Sequence, residues 1–169
     1  MVTFAGTQND LESLVQALIN LENDALEAYD ETIERLENPH CIQKVKEFRE
    51  DHYQHLAALE KIAAASNIEI GEGSMKSLMT KGKVMIADMV GDDEAILGAM
   101  KTNENDTVSA YENALEKDFL TRELQQLCEK GAQDERRHRA WMEQAAEGNF
   151  GAESFSDTER VPNRMGTRM

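Results

Sequence analysis

The sequence predicts an all-α fold, a four-helix bundle built from two similar helical hairpins. Aromatic residues make up 5% of the 169 residues and proline occurs twice, whereas alanine, leucine and glutamate are plentiful, which favours helices over a sheet. Apolar residues recur at helical spacing in four long stretches. A nine-residue pattern in the first stretch also returns in the third, which indicates an internal repeat.

The first two stretches form one predicted hairpin. The first helix runs from about 10 to 36, and it ends before Asn38 and Pro39 because the residue preceding a proline is pushed out of the α region. The second helix runs from about 41 to 65. The connection between them is short, so we expect the two helices to be antiparallel neighbours.

The last two stretches form the second hairpin, with helices over about 93–117 and 120–146. A connection over about 67–92 joins the hairpins, and its middle has helical character despite Gly82. This crossover is long enough to carry the chain back along the bundle, so we expect the second and third helices to run parallel.

The sequence divides into a bundle domain over 1–147 and a tail over 148–169. The tail lacks helical periodicity, so we predict that it is extended or flexible. Two of its side chains, Phe150 and Phe155, are candidates for docking on the bundle, with a solvated tail as the alternative.

Composition argues against several classes of partner. The formal charge is −15, from 33 acidic and 18 basic residues, so we predict no binding to nucleic acid. No apolar run is long enough to span a membrane, and the N-terminus does not resemble a signal peptide. Cys41 and Cys128 do not make a disulfide framework; we predict inert buried thiols and a cytoplasmic location.

The repeat relates the two hairpins residue by residue. Residues 22–30 read ENDALEAYD and residues 104–112 read ENDTVSAYE, with five of nine positions identical. The segment DHYQHLAAL that starts at Asp51 aligns more weakly with DERRHRAWM, which starts at Asp134. Two similar hairpins joined by a crossover predict a bundle with pseudo-twofold symmetry.

Six polar residues fall on the apolar stripes of these helices. Residues three or four apart share a helix face, so all six side chains are expected to point into one interior at similar depth. Buried carboxylates are costly, and the stripes contain no lysine or arginine to pair them. A metal is the economical solution, and glutamate with neutral histidine suits Fe, Mn or Zn. The six residues are Glu22, His52, His55, Glu104, Glu135 and His138.

At these positions the chain resembles the ferritin-like di-iron carboxylate superfamily. The pattern of that family is Glu with Tyr seven residues later, Glu-x-x-His, Glu, and a second Glu-x-x-His on four successive helices. Glu22 with Tyr29 matches the first element, and Glu104 matches the third. Glu135 with His138 matches the fourth. The stretch from GKVMIADMVGDDEAILGAM through KTNENDTVSAYENALE is also similar to a small bacterial branch of unassigned function.

The resemblance implies a ferritin-like bundle with two iron ions, or Mn or Zn, at its centre. It implies a ferroxidase-like or peroxidase-like activity, in which Fe(II) is oxidised by dioxygen or peroxide in iron handling or oxidative defence. It also implies a homodimer by analogy. Glu104 and one further carboxylate would then bridge the metals. The terminal ligands would be Glu22, Glu135, His52, His55 and His138.

The second element departs from the family pattern, because His52 replaces the glutamate of Glu-x-x-His. Three carboxylates then leave one positive charge of two divalent ions unbalanced. Asp51, four residues before His55, is a candidate for the fourth charge, and Asp134 is a candidate partner that orients His138. Without a fourth charge, the site would hold one metal tightly and a second weakly, or prefer another metal.

Two other interpretations remain open from the sequence. In the first, the protein is a non-catalytic bundle with a stress-related structural or partner-binding role. Glu22 and Glu104 would then be hydrogen-bonded to Tyr111 or Tyr29 within a polar network. In the second, the residues hold one structural zinc ion.

Overall fold

The structure is a computed structural model that describes residues 4–71 and 92–150. Within these residues the chain forms four helices and no strands, which confirms the predicted all-α bundle. The predicted helix ends differ from the observed ones by at most two residues. The helices are α1 (Leu11–Arg35), α2 (Pro39–Ala65), α3 (Asp93–Leu115) and α4 (Arg122–Ala146).

Each helix begins at a side chain that accepts a hydrogen bond from a backbone N–H of the first turn. These caps satisfy donors that have no partner inside the helix. In α2, Pro39 stands next to the cap, where its missing N–H costs nothing. The caps are Asp10, Asn38, Asp92 and Thr121.

The four helices pack as a square in which α1 and α4 are each adjacent to α2 and α3. On α1 and α3, Glu22 contacts Tyr111 and Tyr29 contacts Glu104, so these helices are antiparallel. Since a short loop reverses the chain inside each hairpin, α2 and α3 run parallel, as the crossover predicted. Residues 72–91 of the crossover lie outside the described residues.

Two apolar clusters fill the interior. One contains residues such as Leu18 and Leu59, and the other contains residues such as Phe48 and Met100. Along every helix, the six polar stripe residues lie between members of these two clusters. Phe150 packs against the second cluster, whereas the rest of the predicted tail, including Phe155, lies outside the described residues.

Both cysteines are buried and free, as predicted. Burial raises the pKa of the Cys41 thiol to about 11 and that of the Cys128 thiol to about 12. Both thiols therefore stay protonated near neutral pH and are poor nucleophiles and poor metal ligands.

Candidate metal centre

The structure brings the six stripe residues together inside the bundle. Each is at most 1% exposed. They form two groups of four, and within each group one ligand atom per residue lies within 4.8 Å of the others. One residue from α2 and one from α4 belong to both groups. The first group is Glu22, His52, His55 and Glu135, and the second group is His52, Glu104, Glu135 and His138.

The i, i+3 spacing on α2 and α4 places both polar residues of each helix on its inner face. On α1 and α3, Glu22 and Glu104 are buried because the apolar stripe continues on both sides of them. The sequence pattern therefore predicted which side chains meet, although not how they divide between the two groups.

Glu135 spans the two groups. Its Oε1 atom lies 3.6 Å from Nδ1 of His55, and its Oε2 atom lies 3.5 Å from Nδ1 of His138. Glu104 belongs only to the second group. The resemblance implied that Glu104 and one further carboxylate would bridge two metals; in the structure Glu135 belongs to both groups and Glu104 to one.

A tyrosine from the opposite hairpin contacts each of the two remaining carboxylates. The hydroxyl of Tyr29 on α1 donates to Oε1 of Glu104 on α3 at 2.8 Å. The hydroxyl of Tyr111 on α3 donates to Oε1 of Glu22 on α1. These reciprocal bonds fix both carboxylates, and they leave Oε2 of Glu104 without a hydrogen-bond partner.

Two aspartates hold the outer nitrogens of two histidines. His55 donates from Nε2 to Oδ2 of Asp134 at 3.0 Å, and His138 donates from Nε2 to Oδ2 of Asp51 at 3.0 Å. In both rings Nδ1 is therefore the nitrogen that faces the cluster. Arg137 joins the two aspartates, at 2.7 Å from Asp51 and 3.1 Å from Asp134.

This arrangement differs from the prediction in two ways. Asp51 lies outside both groups and does not supply a fourth inner carboxylate; instead it orients His138 on the facing helix. Asp134 does not orient His138 of its own helix but orients His55 on α2. Each aspartate lies one residue before an inward-facing residue, so it points toward the adjacent helix rather than into the core.

The pKa values of the three buried glutamates shift in different directions. Burial alone would raise the pKa of Glu22, but the imidazoles of His52 and His55 lower it below its usual value. The pKa of Glu104 is likewise lowered, against the effect of burial, by the neighbouring imidazole of His138, whose Nδ1 lies 3.5 Å from Oε2. Burial and the charges of Glu104 and Glu22 raise the pKa of Glu135 well above its usual value. Without a cation, the cluster therefore cannot easily hold all three carboxylates in the ionised form.

Five buried ligand atoms of the cluster have no hydrogen-bond partner. A buried polar atom without a partner costs about 1–3 kcal/mol, so this concentration needs an explanation. All five carry a lone pair or negative charge that a cation would satisfy, and they come from three different helices. The residues present therefore fit a metal site. The atoms are Nε2 of His52, Nδ1 of His55, Oε2 of Glu104, and Oε1 and Oε2 of Glu135.

Sequence analysis missed the role of Gly131 on α4. A Cβ atom at this position would lie 2.7 Å from the ring of Tyr111, so only glycine leaves room for that ring. The available signal was a glycine inside a strongly helical stretch, which is unfavourable without a packing reason.

Comparisons with known proteins place the chain in a family. No curated protein and no solved structure matches the chain significantly. No helix in the described part of the chain is long and apolar enough to cross a membrane. A family model described as "Domain of unknown function (DUF2383)" matches residues 10–117, which cover α1 to α3 and end before α4. Because this match spans more than half of the 169 residues, the chain belongs to the DUF2383 family.

Proposed function

We propose that the protein binds two metal ions in the cluster, one in each group of four residues. The observation that carries this proposal is the set of five buried, unpartnered ligand atoms that converge from α2, α3 and α4. Each group offers two carboxylates and two imidazoles, which is a donor set that suits divalent Fe, Mn or Zn. The ferritin-like sequence pattern favours iron among these.

We further propose that the bound iron is oxidised. When bound, two Fe(II) ions supply two electrons, which with two protons reduce peroxide to two water molecules or dioxygen to peroxide. The role of the chain is to hold the ligands and limit water. Glu22 and Glu104 stay ionised because their pKa values are lowered, Asp51 and Asp134 hold the imidazoles in one orientation, and the apolar clusters lie on both sides.

The non-catalytic interpretation finds support in the hydrogen bonds of Glu22. Glu22 accepts from Tyr111 and contacts Nδ1 of His52 at 2.8 Å, so both of its oxygens have partners without a metal. Glu135 has none: both of its oxygens are buried and unpartnered. A polar network alone therefore explains Glu22 but leaves Glu135 unexplained, and we favour the metal centre for this reason.

Anaerobic loading of the full chain with Fe(II), followed by removal of loose metal and metal analysis, tests the proposal. We expect two iron ions per chain in the wild type and a loss of both in Glu135→Gln. The matched control is Glu129→Gln, which alters an exposed glutamate on the same helix and should retain both ions. Addition of peroxide should then produce Fe(III) in the wild type and in the control, and the absorbance of Fe(III) measures this oxidation.

Three outcomes would contradict the proposal. A stable wild-type chain that retains no metal would support the hydrogen-bond network instead. Retention of one zinc ion, with no oxidation of added Fe(II), would support a structural zinc site. Equal iron binding by the wild type and Glu135→Gln would show that the metal lies elsewhere.

A further inference from the structure

Arg137 lies on the outer side of α4, with 54% of its side chain exposed, beside the two aspartates that accept from the cluster histidines. One nitrogen atom, Nη2, makes both contacts: it donates to Oδ2 of Asp51 at 2.7 Å and to Oδ1 of Asp134 at 3.1 Å. Two carboxylates that meet at one nitrogen repel each other, and the charge of the guanidinium offsets this repulsion. Arg137 therefore stabilises the approach of the two aspartates.

The two aspartates differ in their remaining partners. Asp134 also accepts from Nζ of Lys130, four residues earlier on the same helix. Among the described residues, Asp51 is hydrogen-bonded only to Arg137 and His138. Loss of Arg137 would therefore leave Asp134 paired with Lys130, but it would leave Asp51 without a lysine or arginine.

A ring contact connects Arg137 to the same histidine by a second route. The guanidinium carbon lies 5.8 Å from the centre of the Phe48 ring, and this ring stacks on His138 with centroids 4.3 Å apart. A cation over an aromatic face is attracted to it, so Arg137 also holds Phe48 against His138. The internal repeat places Gly131 at the position that corresponds to Phe48, so His55 lacks this contact.

We propose that Arg137 is a positioning residue for the second group. It holds Asp51 and Phe48 against His138, so that Nδ1 of this ring stays turned toward the cluster. The first group depends on Arg137 less, because Lys130 also holds the other aspartate. The effect on metal binding rests on the proposed two-metal function, whereas the effect on Asp51 is a property of the metal-free chain.

A crystal structure of the metal-free Arg137→Met variant tests the positioning without any metal. Methionine keeps an unbranched side chain but has no charge and no N–H donor. We expect the Asp51 carboxylate to turn away from Nε2 of His138, while the Asp134 carboxylate keeps its position. An Asp51 carboxylate that stays bonded to His138 would overturn the proposal, and so would an equal displacement of both aspartates.

Two further variants separate this positioning from a general effect of charge. Arg136→Met changes a neighbouring exposed arginine that pairs with Glu112, and it should leave both aspartates in place. Arg137→Lys keeps a cation with N–H donors. Because a single nitrogen of Arg137 makes both contacts, an ammonium group should keep Asp51 at His138. Displacement of Asp51 by Arg136→Met as well would overturn the specific role of Arg137.

Titration of the full chain with Co(II) measures the consequence for metal binding. Changing a residue that orients a ligand usually lowers metal affinity about 10–100-fold, and Arg137 acts one contact further out, so we expect a loss of about 3–10-fold. Arg137→Met should show this loss in a Glu22→Gln background, where the first group is weakened. In a Glu104→Gln background the loss should stay below about twofold, as for an exposed ion pair.

The outcomes separate this inference from the proposed function. Equal losses in the two backgrounds would overturn the assignment of Arg137 to the second group and leave the two-metal function intact. A wild-type chain that binds no Co(II) would overturn the proposed function itself, and the metal-free crystal structures would still decide whether Arg137 positions Asp51.

Discussion

The two halves of the candidate metal centre are alike at their edges and different in the middle. In one half, Glu22 is bonded by Tyr111 and His55 by Asp134. In the other half, Glu104 is bonded by Tyr29 and His138 by Asp51. Every one of these partners comes from the opposite hairpin. Neither hairpin therefore builds a half-site alone, and the repeat is completed only when the two hairpins pack together.

The symmetry breaks at two pairs of positions related by the 83-residue offset of His55 and His138. The central position holds His52 in one half and Glu135 in the other, and one turn earlier Phe48 corresponds to Gly131. The Phe48 ring stacks on His138 with centroids 4.3 Å apart, whereas Gly131 leaves room for Tyr111. The contacts at the edges of the cluster therefore follow the internal repeat, whereas the residues at its centre differ between the two halves.

The largest effect is expected at the shared carboxylate. Glu135→Gln should weaken metal binding in both halves by more than about 100-fold. This is a larger loss of affinity than the one expected when a residue that only hydrogen-bonds a metal ligand is changed. Glu22→Gln and Glu104→Gln should each weaken one half only, since each residue belongs to one group. Titration with Co(II), followed by visible absorption, measures the number and affinity of sites. Equal losses in all three variants would contradict the division into two halves.

Replacing His52 with glutamate makes the two halves alike at this central position. We expect this change to have different effects on the stability of the metal-free and the metal-bound protein. His52→Glu removes the 2.8 Å contact with Glu22 and buries a fourth carboxylate, so the metal-free protein should lose about 3–5 kcal/mol. Two divalent ions balance four carboxylates, so the loaded variant should recover this stability. Thermal unfolding with a chelator and with Fe(II) measures both states. An unchanged metal-free midpoint would indicate that water enters the cluster.

The outer aspartates should have equivalent effects on opposite halves. Asp51→Asn should lower metal affinity about 10–100-fold in the half that contains His138, and Asp134→Asn should do the same in the half that contains His55. Asp30→Asn is a control on an exposed aspartate whose partner is Arg49. Site-resolved Co(II) spectra of the three variants would distinguish the halves. A loss in the same half for both variants would refute the exchange of partners between hairpins.

The smallest effect concerns the space beside Tyr111. Gly131→Ala brings a methyl group into the Tyr111 ring and should cost about 1–3 kcal/mol, because the ring must shift away from Glu22. Gly98→Ala is the matched control in α3, where the added methyl group meets Ala146 at an ordinary 3.7 Å. The control should gain up to about 1 kcal/mol. Chemical denaturation compares the two, and equal changes would contradict the close approach.

Helical periodicity was sufficient to predict the helices and the six polar residues that meet in the interior. It works here because Glu22 or His138, for example, shares a stripe with leucine and methionine whose burial is obligatory. The exchange of Asp51 and Asp134 between hairpins was not predictable in the same way. It depends on how α2 and α4 are rotated about their axes, and one helix read alone does not contain this information.

Arg137 connects the buried cluster to the protein surface on the side of both outer aspartates. Its side chain is 54% exposed, yet it contacts both Asp51 and Asp134, which accept hydrogen bonds from the outer nitrogens of His138 and His55. An acidic binding partner or a change in ionic strength that displaced this one guanidinium would act on both terminal imidazoles together. One surface residue thus contacts the outer partners of both halves, which also share His52 and Glu135 at their centre.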